Sequence, residues 1–171
     1  YQKLATFLHS KNMAVDYLPN PMWSEQDKRI VFVGVDQVVG RDITGLSPSK
    51  WYRYTQTANY MRVKPAALAD QIVVLTEDFF SACKGNYYAS AGVCFVSLMG
   101  TVMFPDLFSE LLRAKKVIIL LDGDDAGRTG ATQILRSLRL VGVPVTNHII
   151  PEGKDPKDMP PAWWEQFMEL I

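Results

Sequence analysis

The chain has 171 residues, 48% of them apolar, with 18 Lys and Arg set against 18 Asp and Glu. That length suits one compact domain, or two small subdomains sharing an interface, with an ordinary hydrophobic core. Zero net charge argues against a surface that coats nucleic acid indiscriminately, although the acids of a metal site would cancel a local basic face; no stretch approaches membrane-spanning length and no secretory signal is visible.

In chain order, Leu4, Phe7 and Leu8 suit a short helix. Arg29 to Asp36 reads as a strand, with Val38 to Gly45 as its hairpin partner. Lys50-Trp51-Tyr52-Arg53-Tyr54 follows, alternating cationic and aromatic residues. Residues 1–70 thus carry their own core pattern and are expected to form a small mixed α/β subdomain, with 71–171 as a second unit. Ile72 to Glu77 is a strand ending in a glutamate, and Phe79, Phe80 and Cys83 begin a helix. Val96 to Thr101 reads as a strand and glycine turn.

Val117 to Leu121 are apolar without alternation, as in a strand covered on both faces of a parallel sheet. They run straight into Asp122-Gly123-Asp124-Asp125-Ala126-Gly127-Arg128. Acids at the carboxyl end of such a strand sit where open α/β folds bind ligands. Asp122 and Asp124 are two apart and point to one side of an extended segment. Two carboxylates aimed at one point repel unless a cation sits between them, and hard oxygen ligands suit Mg²⁺. Asp124 or Asp125 capping the next helix would explain one acid but not three. Ile134, Leu135, Leu138 and Val141 continue at helical spacing, Gly142 stops the helix, and Val143 to Ile150 reads as the next strand. Pro160 and Pro161 open a closing helix whose apolar face is expected at Trp163, Phe167 and Leu170. Cys83, Cys94, His9 and His148 are read as structural residues. There is no repeat, no paired Cys/His zinc spacing and no P-loop.

The run from Asp122 to Arg128 resembles the aspartate motif of the Toprim domain, shared by DnaG-type primases, topoisomerases and several nucleases. Ile72 to Glu77 resembles the Toprim strand that supplies the catalytic acid, and Pro151 to Asp158 the lysine-aspartate-proline segment of primases. Val96 to Thr101 looks like the strand and glycine turn between them. The likeness covers Ile72 to Asp158. It implies a Rossmann-like parallel sheet flanked by helices, preceded by the small N-terminal subdomain of a primase core. The chain departs from the pattern after the motif glutamate: Asp78 stands where many DnaG-type primases have glycine, and Ser81 where they have aspartate. That departure resembles the primases of some phages.

The resemblance implies a DNA primase core that makes short RNA primers on single-stranded DNA by metal-dependent nucleotidyl transfer from nucleoside triphosphates. Asp122, Asp124 and Asp155 would hold two or more Mg²⁺ ions, with Mn²⁺ as a substitute, and Glu77 would be a further ligand or the general acid/base. Asp78 is expected to cap its helix or substitute as a ligand. Asp125 and Asp158 would support the site or cap helices, and Lys154 would meet a phosphate. Arg29, Arg41, Lys50 and Arg53 are the expected contacts to template or triphosphate, charge serving phosphates and rings serving bases. The chain opens on Tyr1 rather than Met, so a part of a longer protein is expected, with a zinc-binding module and a helicase partner outside it, in the cytoplasm of a bacterial or phage-infected cell. The rival readings are a Toprim nuclease and, third, a non-catalytic recombination-mediator type that binds DNA.

Overall fold

The sheet that carries the acids is five strands wide, in the order β5-β7-β6-β8-β9, and is parallel except at the edge where β5 runs antiparallel to β7. The computed structural model describes residues 2–171. Its strands are β5 (Met61–Arg62), β6 (Ile72–Thr76), β7 (Val93–Ser97), β8 (Lys116–Ile119) and β9 (Val145–Asn147). The unbroken apolar runs predict burial on both faces, and the side chains alternate accordingly. Val73, Leu75, Val117 and Ile119 meet α3 (Pro105–Leu111) and α4 (Asp125–Leu140) on one face. Val74, Ile118 and Leu120 meet Ala82 of α2 (Phe79–Tyr88) and Trp164 and Phe167 of α5 (Pro161–Leu170) on the other. Trp164 and Phe167 form the buried edge of α5, whereas Leu170, expected on that face, is 72% exposed.

The chain leaves β6 for β7 on one side and reaches β8 on the other side of β6. The carboxyl ends of β6 and β8 therefore flank the point where the winding reverses, the crevice that open α/β sheets use for ligands.

Before this sheet comes α1 (Gln2–His9) and a four-stranded antiparallel sheet of β1 (Met22–Ser24), β2 (Arg29–Val33), β3 (Gln37–Asp42) and β4 (Trp51–Gln56). It packs on the outer side of α2: Phe32 lies 5.5 Å from Phe79 and 5.7 Å from Phe80 between ring centroids. Leu4, Leu8, Ile30, Val39, Met61 and Cys83 complete this core. The Asp36 carboxylate accepts from Arg62 Nη2 at 2.9 Å and from Nε at 3.1 Å, tying the β2–β3 turn to β5. A division after residue 70 cuts across the second sheet, because Met61 and Arg62 already pair with β7. The two layers share one core, so β4 is held over the carboxyl edge of the parallel sheet.

Candidate active site

β6 delivers Glu77 and Asp78, and β8 delivers Asp122 across the reversal point. The third contribution comes from a single 3-10 turn at Pro156–Asp158, preceded by Asp155. One carboxylate oxygen each from Asp78, Asp122 and Asp155 lies within 4.8 Å of the others. Glu77 joins from the β6 side, its Oε1 accepting a hydrogen bond from the Asp122 backbone N–H at 3.2 Å.

Two close backbone approaches hold this geometry. A Cβ on Gly123 would fall 2.2 Å from the Pro151 carbonyl oxygen, and one on Gly127 would fall 2.1 Å from the Asp122 carbonyl oxygen and 2.8 Å from Glu77 Oε1. The Gly123 N–H donates to the Lys154 carbonyl at 2.8 Å, and the Gly153 N–H to the Gly123 carbonyl at 2.8 Å. That pair of bonds seats the 151–158 segment beside the aspartate turn.

Burial raises the proton affinity of Asp122 most, and the negative charges of Glu77, Asp155 and Asp78 add to it, so its pKa is pushed up to about 9. Burial likewise pushes Glu77 upward, opposed by its bond from Asp122 and assisted by Asp124 and Asp78. Asp122 Oδ1 is buried and has no hydrogen-bond partner among the described residues. A buried, unpartnered oxygen on an acid that meets two more carboxylates fits a hard divalent cation such as Mg²⁺.

The expected acids do not all meet. Asp124 caps α4, its Oδ1 accepting from the Gly127 N–H at 2.7 Å, and it is exposed at the rim. Helix N-termini attract carboxylates, so Asp124 serves as the α4 cap outside the three-acid cluster while its charge still acts on Glu77. Asp125 is exposed and pairs with Arg128 at 2.7 Å. Asp158 Oδ2 accepts from the Asp155 N–H at 2.9 Å and so closes the 3-10 turn. Asp78 caps α2, its Oδ1 accepting from the Ser81 N–H at 2.9 Å, and its carboxylate also faces Asp122 and Asp155. Lys157 escaped notice in the sequence, yet its Nζ lies 2.9 Å from Asp78 Oδ2 and 2.6 Å from Asp155 Oδ2. A lysine two residues beyond an expected metal ligand, within one tight turn, was the available signal.

Above the acids opens a cleft of about 520 Å³ lined by Trp51, Tyr52, Arg53, Glu77, Asp78, Met99, Gly100 and Asp122. Arg53 and Tyr52 are exposed there. Arg41 is half-buried, its guanidinium 5.6 Å from the Phe7 ring centroid and 5.4 Å from that of Trp51. Burial draws its pKa down, while Asp78 and Asp42 act the other way. Lys50, just before β4, and Lys154 are exposed. Arg29 is a correction. It is 7% exposed, and its guanidinium donates to the Gly40, Lys50 and Ser49 carbonyls and, at 2.6 Å, to Ser47 Oγ. Asp42 shapes the receiving loop by accepting from the Thr44, Gly45 and Ser47 N–H groups. With its donors engaged inside the protein, Arg29 clips the 47–50 loop rather than facing a template.

Residues 77–159 match the Toprim-like family. A comparison with curated proteins finds no sequence match. Among solved structures, a DnaG primase catalytic domain bound to single-stranded DNA superposes with a TM-score of 0.68 at 16% identity, over 98% of this chain and 70% of that one. The Aquifex aeolicus primase, comprising zinc-binding and RNA polymerase domains, gives 0.61 at 23% identity over 83% of this chain, which spans only 39% of that protein. A bacteriophage T7 assembly with primase domains bound to an RNA/DNA hybrid and dTTP gives 0.55 at 14% identity, over 83% of this chain and 76% of that one. The fold is that of the DnaG catalytic core, with a Toprim-like segment at its acidic edge. No helix among the described residues is long and apolar enough to cross a membrane.

Proposed function

We propose that this chain, built on the DnaG catalytic-core fold, is the nucleotidyl-transferring core of a DNA primase that joins ribonucleotides on a single-stranded DNA template and releases pyrophosphate. One observation carries the reading. Glu77, Asp78, Asp122 and Asp155 converge at the reversal point of the parallel sheet, across a cleft from the basic and aromatic strand that bears Trp51, Tyr52 and Arg53.

Glu77, Asp122 and Asp155 are the residues that would hold Mg²⁺ or Mn²⁺, with Asp124 contributing from the rim through the oxygen its helix does not use. A divalent ion in such a site supplies charge stabilisation to a triphosphate and to the attacking and leaving oxygens. Arg53, Arg41 and Lys50 bring positive charge toward triphosphate and template, and Trp51 and Tyr52 offer rings for stacking bases. Lys154 approaches phosphate from the aspartate-turn side. A zinc-binding module and a replicative helicase would act from outside the chain, in the cytoplasm.

The test is primer synthesis on single-stranded DNA with labelled ribonucleotides and Mg²⁺ or Mn²⁺, run beside a supercoiled-plasmid nicking assay. Short RNA products that vanish in Glu77→Gln and Asp122→Asn are expected. Nicking without synthesis would assign the same acids to a nuclease.

A further inference from the structure

The acid cluster already contains a cation of its own. We propose that the Lys157 ammonium is a resident cation of the centre, so that the cluster takes a single divalent ion, on its Glu77–Asp122 side, where sequence alone suggested two or more. The inference rests on the metal-centre reading above and deepens it.

Three observations carry it. First, Lys157 Nζ bonds Asp78 Oδ2 at 2.9 Å and Asp155 Oδ2 at 2.6 Å, two of the three carboxylates whose oxygens converge. Charge-assisted bonds of that length direct one oxygen of each acid at the ammonium. A divalent ion shared by the same two oxygens would stand against Nζ with like charge and no screening water between them.

Second, Lys157 is not a surface lysine that has swung in. Its side chain is 12% exposed. Its backbone N–H donates to Ser81 Oγ at 3.3 Å, and its carbonyl accepts from the buried Lys84 Nζ at 2.7 Å. Ser81 Oγ in turn donates to Asp78 Oδ2 at 3.0 Å. Helix α2 thus holds both the backbone of Lys157 and the acid it pairs with, which pre-organises the ammonium.

Third, the third carboxylate is left over. Asp122 Oδ1 is buried without a hydrogen-bond donor among the described residues, and the Glu77 carboxylate lies against Asp122, accepting its backbone N–H and meeting its side chain, with no cation of the described residues bonded to either. One unsatisfied side of the cluster remains for one external ion. Asp78 then acts as the counter-ion of Lys157 rather than as a ligand.

The test is the number of Mn²⁺ ions bound by the metal-free full chain, counted by electron paramagnetic resonance titration. One ion is expected on the native protein, one on Lys157→Arg, and a second on Lys157→Met; Asp122→Asn should lower affinity for the single ion at least tenfold. Two ions on the native chain, or no gain in Lys157→Met, overturns the resident-cation role while leaving the metal centre intact. No ion on the native chain, or one indifferent to Asp122→Asn, overturns both. If Lys157→Met does not fold, the side-chain ¹⁵N resonance of Lys157 decides on the native protein. It should stay ordered and protected at saturating Mg²⁺; its release to solvent exchange would overturn the proposal.

Discussion

Glu77 Oε1 accepts the Asp122 backbone N–H at 3.2 Å, a bond that locks the end of β6 to the end of β8 at the sheet's reversal point. Gly127 lies against both partners, where a Cβ would fall 2.1 Å from the Asp122 carbonyl oxygen and 2.8 Å from Glu77 Oε1. Gly127→Ala should therefore push the two strand ends apart. The expected cost is about 1–3 kcal/mol of stability, the usual range for overpacking, together with weakened Mg²⁺ binding. Urea unfolding and metal titration of the same variant check both; a variant with native metal affinity would show that the contact is not what sets the site.

Asp122 makes the metal-free protein pH-sensitive. Its folded pKa is raised to about 9 by burial and by neighbouring acids, against about 4 for an unfolded aspartate. Between those values the native state binds more protons than the unfolded one, so stability contributed below pH 4 is lost as pH rises toward 9. Denaturant midpoints of metal-free protein should fall from pH 5 to pH 8.5. Mg²⁺ should oppose that fall, increasingly so at higher pH, because it binds the ionised form. In Asp122→Asn the slope should flatten.

Lys84 has the opposite sign. It is buried, its Nζ meets only the Lys157 carbonyl among the described residues, and burial lowers its pKa to about 8. Above about 10.4, the unfolded value, its contribution to stability is full, and it is lost as pH falls through about 8. Between those limits the native protein should gain up to about 1.4 kcal/mol per pH unit relative to Lys84→Met. Equal slopes for the two proteins in chemical unfolding would contradict the assignment.

Two arginines of the N-terminal sheet should separate cleanly. Arg29→Ala removes a guanidinium bonded to three carbonyls and a hydroxyl, so a loss of about 2–4 kcal/mol is expected. Arg53→Ala should leave thermal stability unchanged. It should weaken single-stranded DNA binding and lower the salt slope of that binding by about 0.7, the value for one phosphate contact on a single strand. Fluorescence anisotropy across a salt series, beside thermal melts, reads both.

The parallel sheet was legible because β6 and β8 are unbroken apolar runs that end on acids, a pattern that specifies burial on both faces and an exposed carboxyl edge. Asp122 followed directly from that pattern. Asp124 takes the capping role that the sequence also allowed it, because the helix N-terminus competes for its carboxylate. Arg29 looked like the other cations because a strand-starting arginine reads the same whether its side chain meets solvent or folds under a loop. The bridge from Lys157 to Asp78 spans 79 residues of sequence and depends on how α2 packs against the 3-10 turn, which no local spacing encodes. The same holds for Met61, whose place in the second sheet is decided by pairing with β7.

The most direct test of the central claim is gel-resolved incorporation of labelled ribonucleotide on a single-stranded DNA template with Mg²⁺, comparing the native chain with Asp122→Asn and Arg29→Ala, any missing template module supplied in trans. The account predicts short RNA products from the native chain, at least a hundredfold loss in Asp122→Asn, consistent with loss of a charge-stabilising group, and retained synthesis in Arg29→Ala wherever that variant is folded. Synthesis undiminished in Asp122→Asn would contradict it, because the reaction would then not depend on the acids gathered at the reversal point.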